Sequence, residues 1–382
     1  MKPWLTGGQP PRGGTQVTGT NNAADTIELV RKRPGMYVGG TDAYGLHHLV
    51  YFLLDAVFSD ARRGECGDIA LEVGTDGSLS LFSNCRVVPP PELAGVVQGS
   101  AFYRQPEAYA WEWGNHLPIS LALASRYQVD VWEGGRQWRL LGRDGRPSAA
   151  LAEVAPTEPM PVEAFRGMRI QLVPDASIFF GDFAFESERL FRRCQELAAL
   201  APGLRARFTD DRTGQHAQLH YPGGITQWLE ERIQGLPRLH PEPLSFDVQW
   251  EGLRVRCALQ WCEADDGDVW SYANTVRTRK NGAHVDGVFL ALRNALSVLS
   301  GERVSVFSRP QLERGLMAII AADGPEERMA FAGPTKELLA IEGLKWAVRR
   351  QLRPLLVDAL RAHPLTPWLL EWGRYPRQRE SP

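Results

Sequence analysis

The sequence predicts an α+β chain in two units: a layered first unit built on an antiparallel sheet, then a second α/β unit. Three observations lead there. Alternating apolar runs meet at Asp76-Gly77 (DIALEVGTDG with SLSLFSN) and at Gly134-Gly135 (QVDVWEGGRQWRLLGRDGRP). Such turn residues between alternating stretches mark hairpins. FESERLFRRCQELAALAPG carries apolar residues at helical spacing and stops at Pro202-Gly203. Beyond YPGG (221–224) come strand, strand, helix, strand and helix patterns, which make a second layered unit.

In chain order, residues 1–24 are rich in Gly, Pro, Thr and Gln and read as a flexible arm. DTIELVRKR (25–33) reads as a short helix ended by Pro34 and Gly35. A glycine-rich turn precedes a largely apolar helix over about 47–62. The first hairpin follows, and then RVVPPPELAGVVQGSAFYRQPEAYAWEWGNH, expected to be irregular. LPISLALASRY reads as a helix, GMRIQLVPD as a strand. Past the linker, LRVRCALQWCE and DVWSYANTVR alternate like strands, VDGVFLALRNALSVLS is a helix and LMAIIAADG a strand. PTKELLAIEGLKWAVRRQLRPLLVDALRAHP reads as one long helix, with Pro334 near its start and a kink at Pro354. The units are therefore expected at 25–220 and 221–382.

Composition narrows the function. The chain has 382 residues, 43% hydrophobic and 23% charged, with net charge −2. Such a chain is not a globally basic nucleic-acid binder, although local basic patches remain open to it. No apolar run reaches the ~20 residues that span a bilayer, so no membrane partner is expected. The five cysteines (Cys66, Cys85, Cys194, Cys257, Cys262) show no zinc spacing, and a reduced, cytoplasmic setting is expected.

VRKRPGMYVGGTDAYGLHHLV (30–50) resembles the start of the ATPase region in the B subunit of bacterial DNA gyrase and its topoisomerase IV counterpart. The likeness continues through RGMRIQLVPDASIF, HYPGGITQWLEE, ALQW, SYANTV, NGAHVDG, ERGL and PTKELL, in the family's order, over about residues 25–362. It implies a GHKL (Bergerat-type) ATPase-like sandwich followed by a ribosomal-S5-like transducer.

The same resemblance marks the positions that should carry chemistry. In the family, the helix after GLHH bears a glutamate that activates water and, four residues on, an asparagine that holds magnesium. That spacing puts both on one helix face. Here Phe52 stands at the base position and Ala56 at the metal-ligand position. Neither offers an oxygen, and a general base or a magnesium site needs one. The family's Asp-x-Gly-x-Gly loop reads SNCRVVP: Ser83 stands for the adenine aspartate, Cys85 and Val87 for the glycines, and Asn84 and Arg86 remain polar. The glycine-rich lid reads WGNHLPIS, which keeps Gly114 and His116 but sets Leu117 and Pro118 where backbone N–H groups should wrap phosphate. The family's Gly-Thr reads Gly167-Met168. Of the transducer's Gln-x-Lys loop only Lys336 survives, in Pro334-Thr335-Lys336. Without the resemblance, Lys336 is a solvated lysine in the first turn of a helix.

These losses imply a catalytically degenerate gyrase-B-like protein: a non-hydrolysing, dimerising clamp or regulator acting on DNA or on a gyrase-type subunit, with no catalytic residue, metal or cofactor expected. The alternative is an ATP-binding subunit of a type II topoisomerase with a divergent site, using ATP and magnesium. The sequence to Pro382 carries no Toprim-like acidic domain and no tyrosine-bearing breakage module, which leaves the gate as the expected role. In the family, the transducers enclose a basic, DNA-sized hole. Candidates here are Arg277, Arg279 and Lys280, the densest cluster, followed by Arg293, Arg303, Arg309, Arg349, Arg350 and Arg353.

Overall fold

The structure is a computed structural model that describes residues 23–99, 111–155, 166–181, 184–303, 306–333 and 336–372. The stretch read as an arm therefore lies outside the described residues up to position 22, and its last two residues already belong to the first helix. The first unit contains α1 (Ala23–Lys32), α2 (Gly35–Val38), α3 (Ala43–Arg62), β1 (Asp68–Val73), β2 (Leu79–Ser83), α4 (Pro90–Val97), α5 (Trp111–Ala122), β3 (Ala124–Glu133), β4 (Arg136–Arg143), β5 (Arg146–Pro147), β6 (Ala152–Val154), β7 (Arg166–Pro174), α6 (Ser187–Leu200), β8 (Arg205–Asp210) and β9 (Gln215–His220). Then come α7 (Gly224–Arg232), β10 (Leu244–Trp250), β11 (Leu253–Trp261), β12 (Asp268–Ala273), β13 (Val276–Arg277), α8 (Ala283–Ser300), α9 (Arg309–Glu313), β14 (Leu316–Asp323), α10 (Leu344–Leu360) and α11 (Thr366–Trp372).

The first sheet runs β5-β4-β3-β7-β2-β1-β8-β9, with β6 paired to β4. It is antiparallel except where β1 meets β8. The second runs β10-β11-β14-β12-β13, with β12 parallel to β14. Both hairpins turn where the sequence indicates. Helix α3 begins four residues earlier than expected because Asp42 caps it, accepting from the backbone N–H of Tyr44 and Gly45 at 3.1 and 3.2 Å. Gly45 is obligatory there, since a Cβ would sit 2.0 Å from the Gly40 carbonyl oxygen. Leu46, Leu49, Val50, Leu53, Leu54, Val57 and Phe58 are all buried, so α3 is a central helix, apolar nearly all round.

Several expectations fail, each for a local reason. The segment read as irregular contains α4, started by prolines and buried through Leu93, Val96 and Val97. The helix read over LPISLALASRY begins earlier, at Trp111, runs through Pro118 and ends at Ala122, where β3 takes over. DVWSYANTVR is a hairpin, not one strand, turning at Asn274 with φ 52°. The long C-terminal helix starts only at Leu344, after Gly343 in a left-handed conformation (φ 80°). Pro334 and Thr335, read as its start, lie outside the described residues. The residues just before α10 are held by backbone pairing instead: Leu339 accepts from Ala283 and donates to Asn281. Lys336 is therefore not in a helix. Strand β10 went unread.

A disulfide joins Cys66 to Cys85, against the expectation of reduced thiols. Asn84 brings the two together, its Oδ1 accepting from the N–H of Gly67 and Asp68 at 2.9 and 2.8 Å. Cys194, Cys257 and Cys262 are free and buried.

The first core does not stop at the linker. Trp228 and Leu229 of α7 join it to Trp270, Tyr272, Ile319 and Ala321 on one face of the second sheet. The other face of that sheet packs on α8 and α10 through Val255, Leu259, Phe289, Leu292 and Leu352. Among the described residues, no helix is long and apolar enough to cross a membrane.

Candidate functional site

On α3, the Phe52 ring stacks on the His116 ring of α5, with centroids 4.5 Å apart and an 18° interplanar angle. The His116 Nδ1 lies 3.2 Å from the Phe52 carbonyl oxygen, so Nδ1 carries the proton and donates. Burial pushes the pKa of His116 down, which keeps the ring neutral near pH 7. His48 adds an edge contact to Phe52 at 5.9 Å. Ser120 of α5 donates to the Leu49 carbonyl at 3.0 Å, fastening the two helices one turn further along.

The other nucleotide positions are filled from within. Ala56 and Cys85 are 0% exposed, Met168 1%, Ser83 3% and Val87 5%. Ser83 ends β2, paired between Ile69 and Met168. Asn84 is committed to Gly67 and Asp68, donating to the Asp68 carboxylate at 3.0 Å. Arg86 donates to Asp60 through Nε and Nη2 at 3.0 and 2.9 Å, and Asp60 is fully buried. Gly114 is buried inside α5. Of the residues marked by sequence as binders, Asn84 and Arg86 thus make hydrogen bonds within the protein, and Ser83 and Gly114 are buried.

His116 and Lys336 do come together. They line a cleft of about 190 Å³ between the first unit (Asp55, Phe58, Ser59, Arg62) and the second (Asn274, Thr275, Glu326, Phe331). The Lys336 Nζ lies 3.4 Å from Glu326 and 5.4 Å from the Phe331 ring centre. Its backbone φ is 54°, a left-handed conformation that favours glycine.

Sequence reasoning missed the network behind this cleft. Buried Arg193 of α6 donates to Asp55 at 2.8 Å, to Glu196 at 3.2 Å and to the Thr275 carbonyl at 2.7 Å. Burial disfavours its charge, but Asp55 and Glu196 outweigh burial and raise its pKa. The Tyr272 hydroxyl donates to Glu196 at 3.1 Å. Arg62 donates to Asn274 Oδ1 at 2.5 Å and to the Gly324 carbonyl at 3.0 Å. Arg256 of β11 reaches back to the Leu200 carbonyl at 2.8 Å. Apart from the local Arg193–Glu196 pair, these partners lie 56 to 262 residues apart in sequence, beyond the reach of any local pattern.

Arg277, Arg279 and Lys280 are exposed on the second unit, with Lys280 paired to Glu337 at 2.8 Å. Among the described residues, no three His, Cys, Asp or Glu side chains cluster so as to hold a metal ion. The carboxylates nearest the cleft, Asp55 and Glu326, are both in ion pairs.

A family model for DNA gyrase B matches residues 224–366. The DNA gyrase B protein of Myxococcus xanthus is 31% identical over 88% of this chain and 43% of its own length. The mitochondrial DNA gyrase B protein of Arabidopsis thaliana is 28% identical, over 88% of this chain and 49% of its own. The chain thus spans somewhat less than half the length of these curated relatives. A crystal structure of the B-subunit of the DNA gyrase from Myxococcus xanthus matches with a TM-score of 0.87 and 55% identity, covering 91% of this chain and 99% of that one. The 43K ATPase domain of Thermus thermophilus gyrase B, in complex with an aminocoumarin, matches with a TM-score of 0.74 at 24% identity, over 91% and 93% of the two chains, and supports the shared fold. The two Myxococcus figures, 31% and 55% over similar shares of this chain, differ too much to come from one sequence.

Proposed function

The chain belongs to the DNA gyrase B family, with its GHKL-type fold, and we propose that within it this protein is a non-hydrolysing clamp or regulator rather than an ATP-driven subunit. One observation carries the reading. Where the family holds its general base and magnesium ligand, Phe52 stacks on a neutral His116 and Ala56 is fully buried. Water activation needs a proton acceptor in reach, and magnesium needs oxygens. Fully burying a Phe side chain is worth roughly 1.5–3 kcal/mol and Phe52 is partly buried, so the exchange contributes part of that to stability at the expense of a nucleotide cavity.

The network across the cleft supports the same reading. Arg193, Arg62 and Arg256 bind the first unit to the second directly, with no nucleotide needed between them. A gate wired in this way holds its arrangement without ATP. We read residues 25–220 as the ATPase-like domain and 221–382 as the transducer. The working form would be a dimer, with itself or with a gyrase-type subunit, in the bacterial cytoplasm. DNA contact would run through Arg277, Arg279 and Lys280, and no cofactor is required.

One observation favours the alternative of a divergent ATP-binding subunit: His116 and Lys336 share an open cleft. Titration calorimetry with a non-hydrolysable ATP analogue, with and without magnesium, together with a phosphate-release assay on ATP itself, separates the two. The clamp reading expects no heat and no phosphate release. Magnesium-dependent binding, with turnover abolished by Lys336→Ala, would establish the alternative instead.

A further inference from the structure

Helix α10 presents a stripe in which three of the arginines that the sequence offered for DNA contact stand beside an exposed tryptophan that neither the fold nor the site above accounts for. Trp346, Arg349, Arg350 and Arg353 stand at i, i+3, i+4 and i+7, one face of the helix about 10 Å long. The opposite face is core: Leu344, Ala347, Val348 and Leu352 are buried. Trp346 is 59% exposed, the most exposed tryptophan among the described residues. The Lys345 ammonium lies 5.5 Å from its ring centre. Arg350 and Arg353 are exposed and form no ion pair among the described residues. The Arg349 guanidinium reaches only Asn294 Oδ1, at 3.5 Å.

Ordinary helix physics does not explain these residues. Cations at a helix C-terminus interact well with the macrodipole, but only within the last turn, and Arg353 lies seven residues before Leu360. Helical arginines commonly pair with acids three or four positions away. Four from Arg350 stand Trp346 and Pro354, and four from Arg353 stand Arg349 and Val357. The pairs Arg349/Arg353 and Arg350/Arg353 are like-charged and repel. Repelling guanidiniums beside an indole left in water lower the stability of the free chain, so their use lies in something that binds them.

We infer that this outer face of α10 binds single-stranded nucleic acid. Three arginines without carboxylate partners among the described residues match a row of phosphates, and their planar forks suit phosphate oxygens. An open indole flanked by cations is a stacking platform for a base. A duplex hides its base faces and cannot use that platform, whereas a single strand can. The chain as a whole has net charge −2, so the attraction is local to this stripe. The inference does not depend on whether ATP binds.

Fluorescence anisotropy with a labelled 20-nucleotide DNA strand, its duplex and a polyglutamate competitor tests it. The wild-type chain should bind the single strand more tightly than the duplex. Trp346→Ala should weaken single-strand binding by roughly fivefold to a hundredfold and leave duplex binding nearly unchanged. Arg350→Glu/Arg353→Glu should abolish single-strand binding. A milder Arg350→Gln/Arg353→Gln pair should lower the slope of log affinity against log salt by about 1.4, that is ~0.7 per lost phosphate contact. All the substituted side chains face solvent, and circular dichroism confirms folding. Failure of the wild type to bind, duplex binding as tight as single strand, indifference to Trp346→Ala, or displacement by polyglutamate as efficient as by DNA would each overturn the assignment.

Discussion

Two regions a few residues apart along α3 have gone opposite ways. Around Phe52 and Ala56 lies a dry region packed on α5, where Phe52 is partly buried against His116, Ala56 is fully buried, and Asn84 and Arg86 are occupied by internal bonds. One turn on, around Asp55, Ser59 and Arg62, it borders a charged cleft and is wired to the second unit. On the function proposed above, the contrast teaches that the loss of a ligand site and the retention of an interdomain joint are separable. The first needs only small or apolar side chains at a few positions. The second needs a buried arginine and its acids to persist together. His116 belongs to both regions, stacked on Phe52 and facing the cleft.

The largest effect should come from breaking the joint. Arg193→Ala leaves Asp55 and Glu196 without their cation and the Thr275 carbonyl without its donor. We expect a loss of about 3–5 kcal/mol, read from urea unfolding monitored by tryptophan fluorescence. If stability holds, the two units are not joined as described.

Opening the staple beside the dry region comes next. Cys66 and Cys85 close a loop with a sequence separation of 19. Closing a loop of that order stabilises by about 3 kcal/mol, so Cys66→Ser/Cys85→Ser should lower the melting temperature, and a reductant should then have no further effect.

Restoring the family's residues tests the dry region directly. Phe52→Glu with Ala56→Asn removes the stack on His116 and places an amide at a fully buried position, costing roughly 1–3 kcal/mol. Phosphate release should stay at background. Magnesium-dependent turnover in this variant would mean that only two side chains separate the dry region from a working site.

The pH response has a definite sign. His116, His240 (held at about 4) and His284 (held at about 3) all titrate lower in the folded chain than the ordinary histidine value, chiefly through burial. The unfolded chain therefore binds more protons below pH ~6.5, and stability is full above that value and falls as the pH drops toward about 4. Urea midpoints at pH 7.5 and 5 should differ in that direction, and His284→Asn should shrink the difference. The smallest effect belongs to Lys336→Ala at the cleft rim, where a half-exposed pair with Glu326 is worth less than about 1 kcal/mol.

Much of the fold was legible. The turns at Asp76-Gly77 and Gly134-Gly135, the helix ended by Pro202-Gly203, and strands β11 and β14 follow from short-range pattern. The errors came where context outweighed pattern. Residues 336–343 have good helix composition, but Leu339 pairs with the segment before α8, which a local reading cannot see. In the candidate site, the absence of oxygen at positions 52 and 56 was legible. That Asn84 and Arg86 are committed to Asp68 and Asp60 was not.

By itself, then, the sequence determined the family, much of the element order and which residue stands at each of the family's motif positions, because those depend on residue identity and on spacings of a few residues. Only the tertiary structure decided that Ser83, Cys85 and Met168 are buried, that Cys66 meets Cys85, and that Arg193 and Arg62 join the two units. Each of those depends on close packing and on hydrogen bonds between residues 19 to 262 positions apart, whose geometry is fixed only once both sheets and their helices are in contact.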